Sequence, residues 1–188
     1  MAKHQKPFSV LEAGIAEAVR EGDGCAQTIL DGVEAVMFVA LKDAGGMGHS
    51  LRDAAPLIAA AAVRGGVKAR GELGYVARGF VAGLLRASEF KGARAQDLIG
   101  IAVSSFFLNA GEAGADPADV SRSLTEGAIE WAAELGENSS AAASAAARAA
   151  LAAANVIDSK TARSVHDALK DGVAGVDVVF GETARAIT

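Results

Sequence analysis

Apolar residues recur at helical spacing along most of the chain and mark out eight segments. In the first segment, Leu11, Ile15 and Val19 lie four residues apart and so share one helix face. Glycine-rich turns, or polar residues followed by proline, separate the segments. The predicted helices cover about residues 10–21, 26–43, 51–63, 72–88, 95–110, 117–135, 139–156 and 159–180. The pattern therefore predicts an all-α protein.

The start of the sixth helix has the strongest boundary signal. Asp116 suits the N-cap position, and Pro117 suits the first helical position because its missing N–H would have no partner there. Gly136 suits the end of the same helix. The other candidate N-caps are Ser9, Ser50 with Asp53 three residues later, Asn138 or Ser139, and Asp158 or Ser159.

A small residue returns at nearly constant spacing through these segments, at intervals of 23, 24, 23, 25, 22 and 23 residues. One helix per interval with short turns predicts four antiparallel hairpins, arranged as a short α-solenoid or a closed helical bundle. We expect each recurring residue to be a packing anchor in the middle of a helix, where backbones approach closely, with glycine and alanine alternating between the two helices of a hairpin. The anchors are Gly32, Ala55, Gly79, Ala102, Gly127, Ala149 and Gly172.

The length and composition fit one domain. The chain has 188 residues, 22 glycines and only three prolines, and alanine is its commonest residue and the best helix former. We expect residues 1–8 to form a mobile arm and residues 9–188 a single helical repeat domain. Since Cys25 is a lone cysteine and the first residues are not of secretory type, a cytoplasmic protein is expected.

Charge and hydropathy narrow the partner classes. The net charge of −5 disfavours nucleic acid as a partner, because phosphate backbones attract clustered Lys and Arg. The mean hydropathy of +0.27 comes largely from alanine. The longest uncharged apolar stretches, Leu98 to Gly111 and the alanine run interrupted by Arg148, are shorter than the roughly 18–20 residues of a membrane-spanning helix. No transmembrane segment is predicted.

No catalytic, metal or cofactor site is predicted. His4, His49 and His166 show no metal-ligand spacing. Cys25 lies just before a helix, where the helix dipole favours a thiolate, although a buried or inert thiol also fits. The glycines at 22–24 and 45–48 could hold an anion at the following helix N-terminus, or could simply end the preceding helix.

Some charged and aromatic positions allow two interpretations. A charged residue precedes each glycine anchor, which predicts either an internal ladder of ion pairs or a solvated flank; these residues are Asp31, Arg78, Glu126 and Asp171. Arg64 and residues 65–71 form either a basic loop that docks an acidic patch or a solubilising turn. The aromatic residues Tyr75, Trp131, Phe106 and Phe107 are expected in the core.

Two families resemble the chain in general character. Eight short helices rich in alanine and glycine resemble the nucleotide-binding domain of dihydroxyacetone kinases, an eight-helix barrel. The nearest match to that family's Gly-Asp-x-Asp-x-Gly run is the segment from Gly22 to Gln27, which lacks the second acid and the last glycine, so no site residue is carried over. The composition is also similar to that of phasins, the alanine-rich proteins that coat storage granules.

The sequence favours a structural or scaffold protein that acts through a protein partner or self-assembly. The supporting features are the repeat and apolar stripes wide enough to leave surface for a partner or another copy. Alternatives are a binder of hydrophobic ligand, lipid or a granule surface, and a nucleotide-binding enzyme with a helical barrel. An enzyme is the less favoured class.

Overall fold

The computed structural model describes residues 6–22, 26–46, 51–70, 72–88 and 92–181. These residues form eight α-helices, which confirms the predicted all-α class. The helices are α1 Lys6–Glu21, α2 Ala26–Gly46, α3 Leu51–Lys68, α4 Leu73–Ser88, α5 Gly92–Glu112, α6 Pro117–Leu135, α7 Ser139–Ile157 and α8 Ser159–Leu169.

The helices pack in two layers of alternate members. In one layer α2 packs on α4, α4 on α6 and α6 on α8, and in the other α1 packs on α3, α3 on α5 and α5 on α7. Within the described ranges α1 and α8 share no extensive interface, so the four hairpins form an open stack rather than a closed ring. The glycine anchors at 32, 79 and 127 fall in the first layer and the alanine anchors in the second, as the alternation predicts.

The core runs through the middle of both layers. Trp131, Phe80 and Phe106 are fully buried, and the rings of Phe80 and Phe106 lie 5.2 Å apart between α4 and α5. Phe107 is also buried, whereas Tyr75 is only partly covered. Helix α5 contacts both of its layer neighbours and both adjoining helices, because it is apolar on nearly all sides.

Helix α7 is built almost entirely of alanine and packs closely against α5 and α6. Among the helices that the structure describes, only α7 is long and apolar enough to cross a membrane by length and composition. However, 61% of that stretch is buried inside the fold. Burial within the stack accounts for its apolar composition.

The predicted caps of the last three helices are confirmed. The Asp116 carboxylate accepts hydrogen bonds from the backbone N–H groups of Ala118 and Asp119, at 2.9 and 3.0 Å. Gly136 ends α6 in the left-handed conformation at φ 68°. Between the paired candidates, Asn138 caps α7 and Asp158 caps α8. Ser50 lies outside the described residues.

Helices α1, α2, α3 and α5 extend beyond their predicted ends. Helix α1 begins at Lys6, inside the predicted arm of residues 1–8, and α2 continues through Gly45 and Gly46. Helix α3 continues to Lys68, so the predicted basic loop is wrong for residues 65–68. The reason is packing: a β-carbon on Gly65 would lie 2.7 Å from the carbonyl oxygen of Glu12, so glycine lets α1 approach α3.

Helix α8 is shorter than predicted, and the anchor interpretation of Gly172 is wrong. The helix ends at Leu169, and Gly172 lies in the following turn with φ 86°, not in the middle of a helix. Val173 and Val176 then exchange two backbone hydrogen bonds of 3.0 and 2.9 Å across a tight turn. Positive φ angles at Gly172, Ala174 and Gly175 prevent the helix from resuming.

The segment that follows this turn runs back along α7. The Ser144 hydroxyl accepts a hydrogen bond from the Val179 N–H at 2.9 Å, and Arg148 donates to the Val179 carbonyl at 3.1 Å. Phe180 is buried, with its ring 5.1 Å from that of His166 on α8. Residues 170–181 therefore cover part of the last hairpin.

Candidate binding surface at the hairpin loops

The packing anchors lie between helices. A β-carbon on Gly32 would lie 2.8 Å from the β-carbon of Ala18, and one on Gly79 would lie 2.9 Å from a methyl group of Val33. At Gly127 the added atom would lie 2.5 Å from the Arg78 carbonyl oxygen. Of the alanine anchors, Ala55 and Ala102 are fully buried and Ala149 is partly buried against the core. Their surroundings indicate close helix packing.

A different set of residues forms concave surface at one end of the stack. The turns that join α3 to α4, α5 to α6, and α7 to α8 lie at the same end, because the hairpins stack in register. We call this end the hairpin-loop face, defined by residues 69–75, 108–123 and 157–161 apart from position 71, which is outside the described residues. Two cavities open on it.

The first cavity, the apolar cleft, lies between the second and third of these turns and has a volume of about 400 Å³. Carbon atoms of α5, α6 and α7 form most of its wall, and Glu112 and Thr161 are the polar side chains among the lining residues. A β-carbon on Gly111 would lie 3.5 Å from the terminal methyl of Ile157, so glycine leaves this part open. The lining residues are Phe107, Leu108, Ala110, Gly111, Glu112, Ala115, Pro117, Val120, Ile157 and Thr161.

The second cavity, the charged groove, lies between the first and second turns and has a volume of about 640 Å³. Ala115 and Val120 line both cavities, so the two adjoin along the start of α6. Both volumes are in the range of ordinary ligand sites. The lining residues of the groove are Glu72, Leu73, Gly74, Tyr75, Arg78, Ala115, Asp116, Asp119, Val120, Arg122, Ser123 and Glu126.

Both arginines of the charged groove are held by contacts within the protein. Arg78 Nε donates to Glu130 at 2.7 Å, and its guanidinium is also 3.6 Å from Glu126. The hydrogen bond to Glu130 is the largest cause of the raised pKa of Arg78, so this arginine keeps its charge. Arg122 donates to the Ala168 carbonyl at 3.3 Å. The four carboxylates of the groove outnumber these two cations.

Ion pairs connect the helices of the glycine layer beneath this face. The predicted ladder is confirmed at Arg78 and Glu126, whereas Asp171 follows the end of α8. Arg86 forms a second bridge, which the sequence pattern did not indicate: it contacts Glu34 on α2 and Glu134 on α6. The sequence signal for these bridges was a set of three glutamates on α6 that lie four residues apart.

The other residues considered as candidate site residues from the sequence are not found on the hairpin-loop face. His166 is partly buried beside Phe180, 3.8 Å from Asp167. His4, His49 and Cys25, together with residues 23–24 and 47–48 of the glycine turns, lie outside the described residues. Within the described part of the chain, no group of three or more His, Cys, Asp or Glu residues could hold a metal ion.

Comparison with known proteins gives no relative for this chain. No family model matches it, and neither a curated protein nor a solved structure matches it.

Proposed function

We propose that this protein is a scaffold that acts through protein–protein contacts, and that its hairpin-loop face binds a segment of a partner protein. The observation that carries the proposal is the direct meeting of the apolar cleft and the charged groove along Ala115 and Val120. Protein interfaces combine an apolar centre with a polar rim in this way. Stacked repeats also commonly bind partners through turns that recur on one side.

The open stack supports this class of function over a carrier with a central cavity. In the described ranges the buried side chains of the core fill the two layers, and the apolar cleft and the charged groove lie at the ends of helices. Self-assembly belongs to the same class, because the first hairpin also exposes apolar residues: Val10 is 70% exposed and Val39 is 59% exposed. The partner is therefore either another protein or a second copy.

A matched pair of substitutions tests the proposal. Ile157 in the apolar cleft is 45% exposed, and Leu57 on the far half of α3 is 49% exposed. The tagged protein is purified from its own cells under gentle conditions, and its mass is measured by analytical ultracentrifugation. We expect a complex heavier than the 18.9 kDa chain, lost in Ile157→Asp and kept in Leu57→Asp. A species of 18.9 kDa in all three preparations would overturn the proposal.

A binder of a small hydrophobic ligand is a second candidate, favoured by the apolar cleft alone. A cleft of about 400 Å³ with few polar groups suits a short acyl chain or an aromatic ring. Decanoate is a suitable probe, since a ligand that binds only the folded state raises the melting temperature. We expect a rise in the parent that Ile157→Asp abolishes; an unchanged melting temperature in the parent excludes this candidate for acyl chains of that length.

A further inference from the structure

We propose that the partner segment is basic and carries one apolar side chain, which enters the apolar cleft while its positive groups lie over the charged groove. This inference rests on the proposed function and adds the chemistry of the occupant. It follows from the composition of the two linings and from their spacing.

The apolar cleft provides the site for an anchoring side chain. Phe107 and Val120 are buried at its wall, whereas Ile157 is half exposed at its rim. An entering leucine or phenylalanine would replace water against these carbon atoms, and burial of one such side chain is a usual source of affinity at a protein interface. Thr161 and Glu112 leave polar groups for the backbone beside the anchor.

The charge balance of the two linings favours a cationic segment. Five carboxylates line the cavities, from Glu72, Glu112, Asp116, Asp119 and Glu126, against the guanidinium groups of Arg78 and Arg122. Both arginines already have partners within the protein. The surplus of negative charge attracts lysine or arginine, and concave walls strengthen that attraction.

Two carboxylates are best placed to meet the cation. Asp116 accepts two backbone hydrogen bonds as the N-cap of α6, and Glu126 is paired with Arg78. Glu72 and Asp119 are both exposed and line the charged groove, one before α4 and one in the first turn of α6. We expect the positive group to lie between them.

The spacing of the repeat gives the register of the segment. Neighbouring helices of one layer pack about 8–10 Å apart, so adjoining cavities between successive turns are separated by a similar distance. An extended chain advances about 3.3 Å per residue. The basic group is therefore expected three or four positions from the apolar anchor. Because successive side chains of an extended chain point to opposite faces, two adjacent basic residues at these positions place one of them on the same face as the anchor.

Fluorescence anisotropy with labelled peptides tests this inference on the full chain. The probe is a peptide of about ten residues made of serine and glycine, with one leucine and, three positions away, two adjacent lysines. One comparison peptide replaces the lysines with glutamates, and the other replaces the leucine with serine. We expect the parent peptide to bind at least about five-fold more tightly than either, and its affinity to fall when the salt concentration rises from about 50 to 500 mM.

Variants of the protein locate the interaction. The double variant Glu72→Gln with Asp119→Asn should weaken binding of the lysine peptide about three-fold or more, consistent with the loss of partly screened ion pairs. Asp97→Asn, an exposed carboxylate on the first half of α5 and so at the other end of the stack, is the matched control and should leave the affinity unchanged. Circular dichroism confirms that each variant is folded.

The outcomes separate this inference from the proposed function. Equal affinity for the lysine and glutamate peptides, or an unchanged affinity in the double variant, overturns the basic segment. If a complex lost in Ile157→Asp is nevertheless found in cells, the scaffold proposal stands and only the occupant is wrong. If no complex is found in cells either, both fail.

Discussion

Gly127 on α6 faces the backbone of Arg78 on α4, and a β-carbon at position 127 would lie 2.5 Å from the Arg78 carbonyl oxygen. The same residue that donates to Glu130 through its side chain thus contacts α6 through its main chain. The close contact between the backbones of α4 and α6 and the ion pairs of Arg78 with Glu126 and Glu130 therefore belong to the same helix interface. The size of the side chain at position 127 therefore controls how closely α4 and α6 pack.

Substitution of Gly127 by alanine should destabilise the protein by about 1–3 kcal/mol, because the methyl group forces the two helices apart. The matched control is Gly100→Ala on α5, since no atom lies within 4 Å of the added β-carbon there. That change should be neutral or should stabilise by up to about 1 kcal/mol, as alanine favours helix. Urea unfolding measures both. Similar effects of the two substitutions would contradict the packing role of Gly127.

Arg86 is expected to hold the glycine layer together across three helices. Replacement by methionine removes its contacts with Glu34 and Glu134 and should cost about 1 kcal/mol, since the groups are partly exposed. The cost should shrink in 1 M salt. Arg94→Met, at an exposed position of α5, is the control. A double-mutant cycle of Arg86→Met with Glu134→Gln isolates the pair, and a coupling energy of zero would refute the bridge.

The N-cap of α8 makes stability depend on acid pH. The Asp158 carboxylate accepts a hydrogen bond from the Thr161 N–H at 2.7 Å, which lowers the pKa of Asp158 from its ordinary value of 3.8. A group with a lower pKa in the folded state stabilises it above the ordinary value, and this contribution is lost as pH falls through the folded pKa. The melting temperature should therefore fall below about pH 4.

The substitution Asp158→Asn should reduce that fall, because asparagine still caps a helix but does not titrate. Melting curves between about pH 2 and 7 measure the difference, with Asp97→Asn on α5 as the matched control. A fall of the same size in parent and Asp158→Asn would mean that the cap is not responsible.

Local signals predicted most of the fold. The predicted start of α6 is correct because Asp116 and Pro117 determine the conformation of the helix turn in which they lie. The predicted end of α8 is wrong because Val173, Val176 and Phe180 have the spacing of an apolar helix face. In the structure they belong to a turn and an extended segment. Gly172 fitted the repeat interval while marking the end of a helix, so equal spacing did not mean equal conformation.

The two cavities of the hairpin-loop face could not be predicted in the same way. Phe107 and Ile157 line one cleft but belong to α5 and α7, and no pattern within either helix indicates the space between their ends. Glu126, Glu130 and Glu134 lie four residues apart, which indicates a charged face on α6. The arginines that pair with these glutamates are on another helix, so the sequence pattern of α6 does not identify them. Which side chains meet between distant helices depends on the register in which the hairpins stack. That register is visible in the structure and not in the pattern of any one helix.

Site-specific photo-crosslinking tests the central claim, that the hairpin-loop face binds a protein, most directly. A photoreactive phenylalanine derivative is placed at position 157 in the apolar cleft or at position 57, which is similarly exposed on the far half of α3. After irradiation in the protein's own cells, we predict one dominant adduct from position 157 and none from position 57. Equal labelling from both positions, or an adduct from position 57 alone, would contradict a binding surface at the hairpin loops.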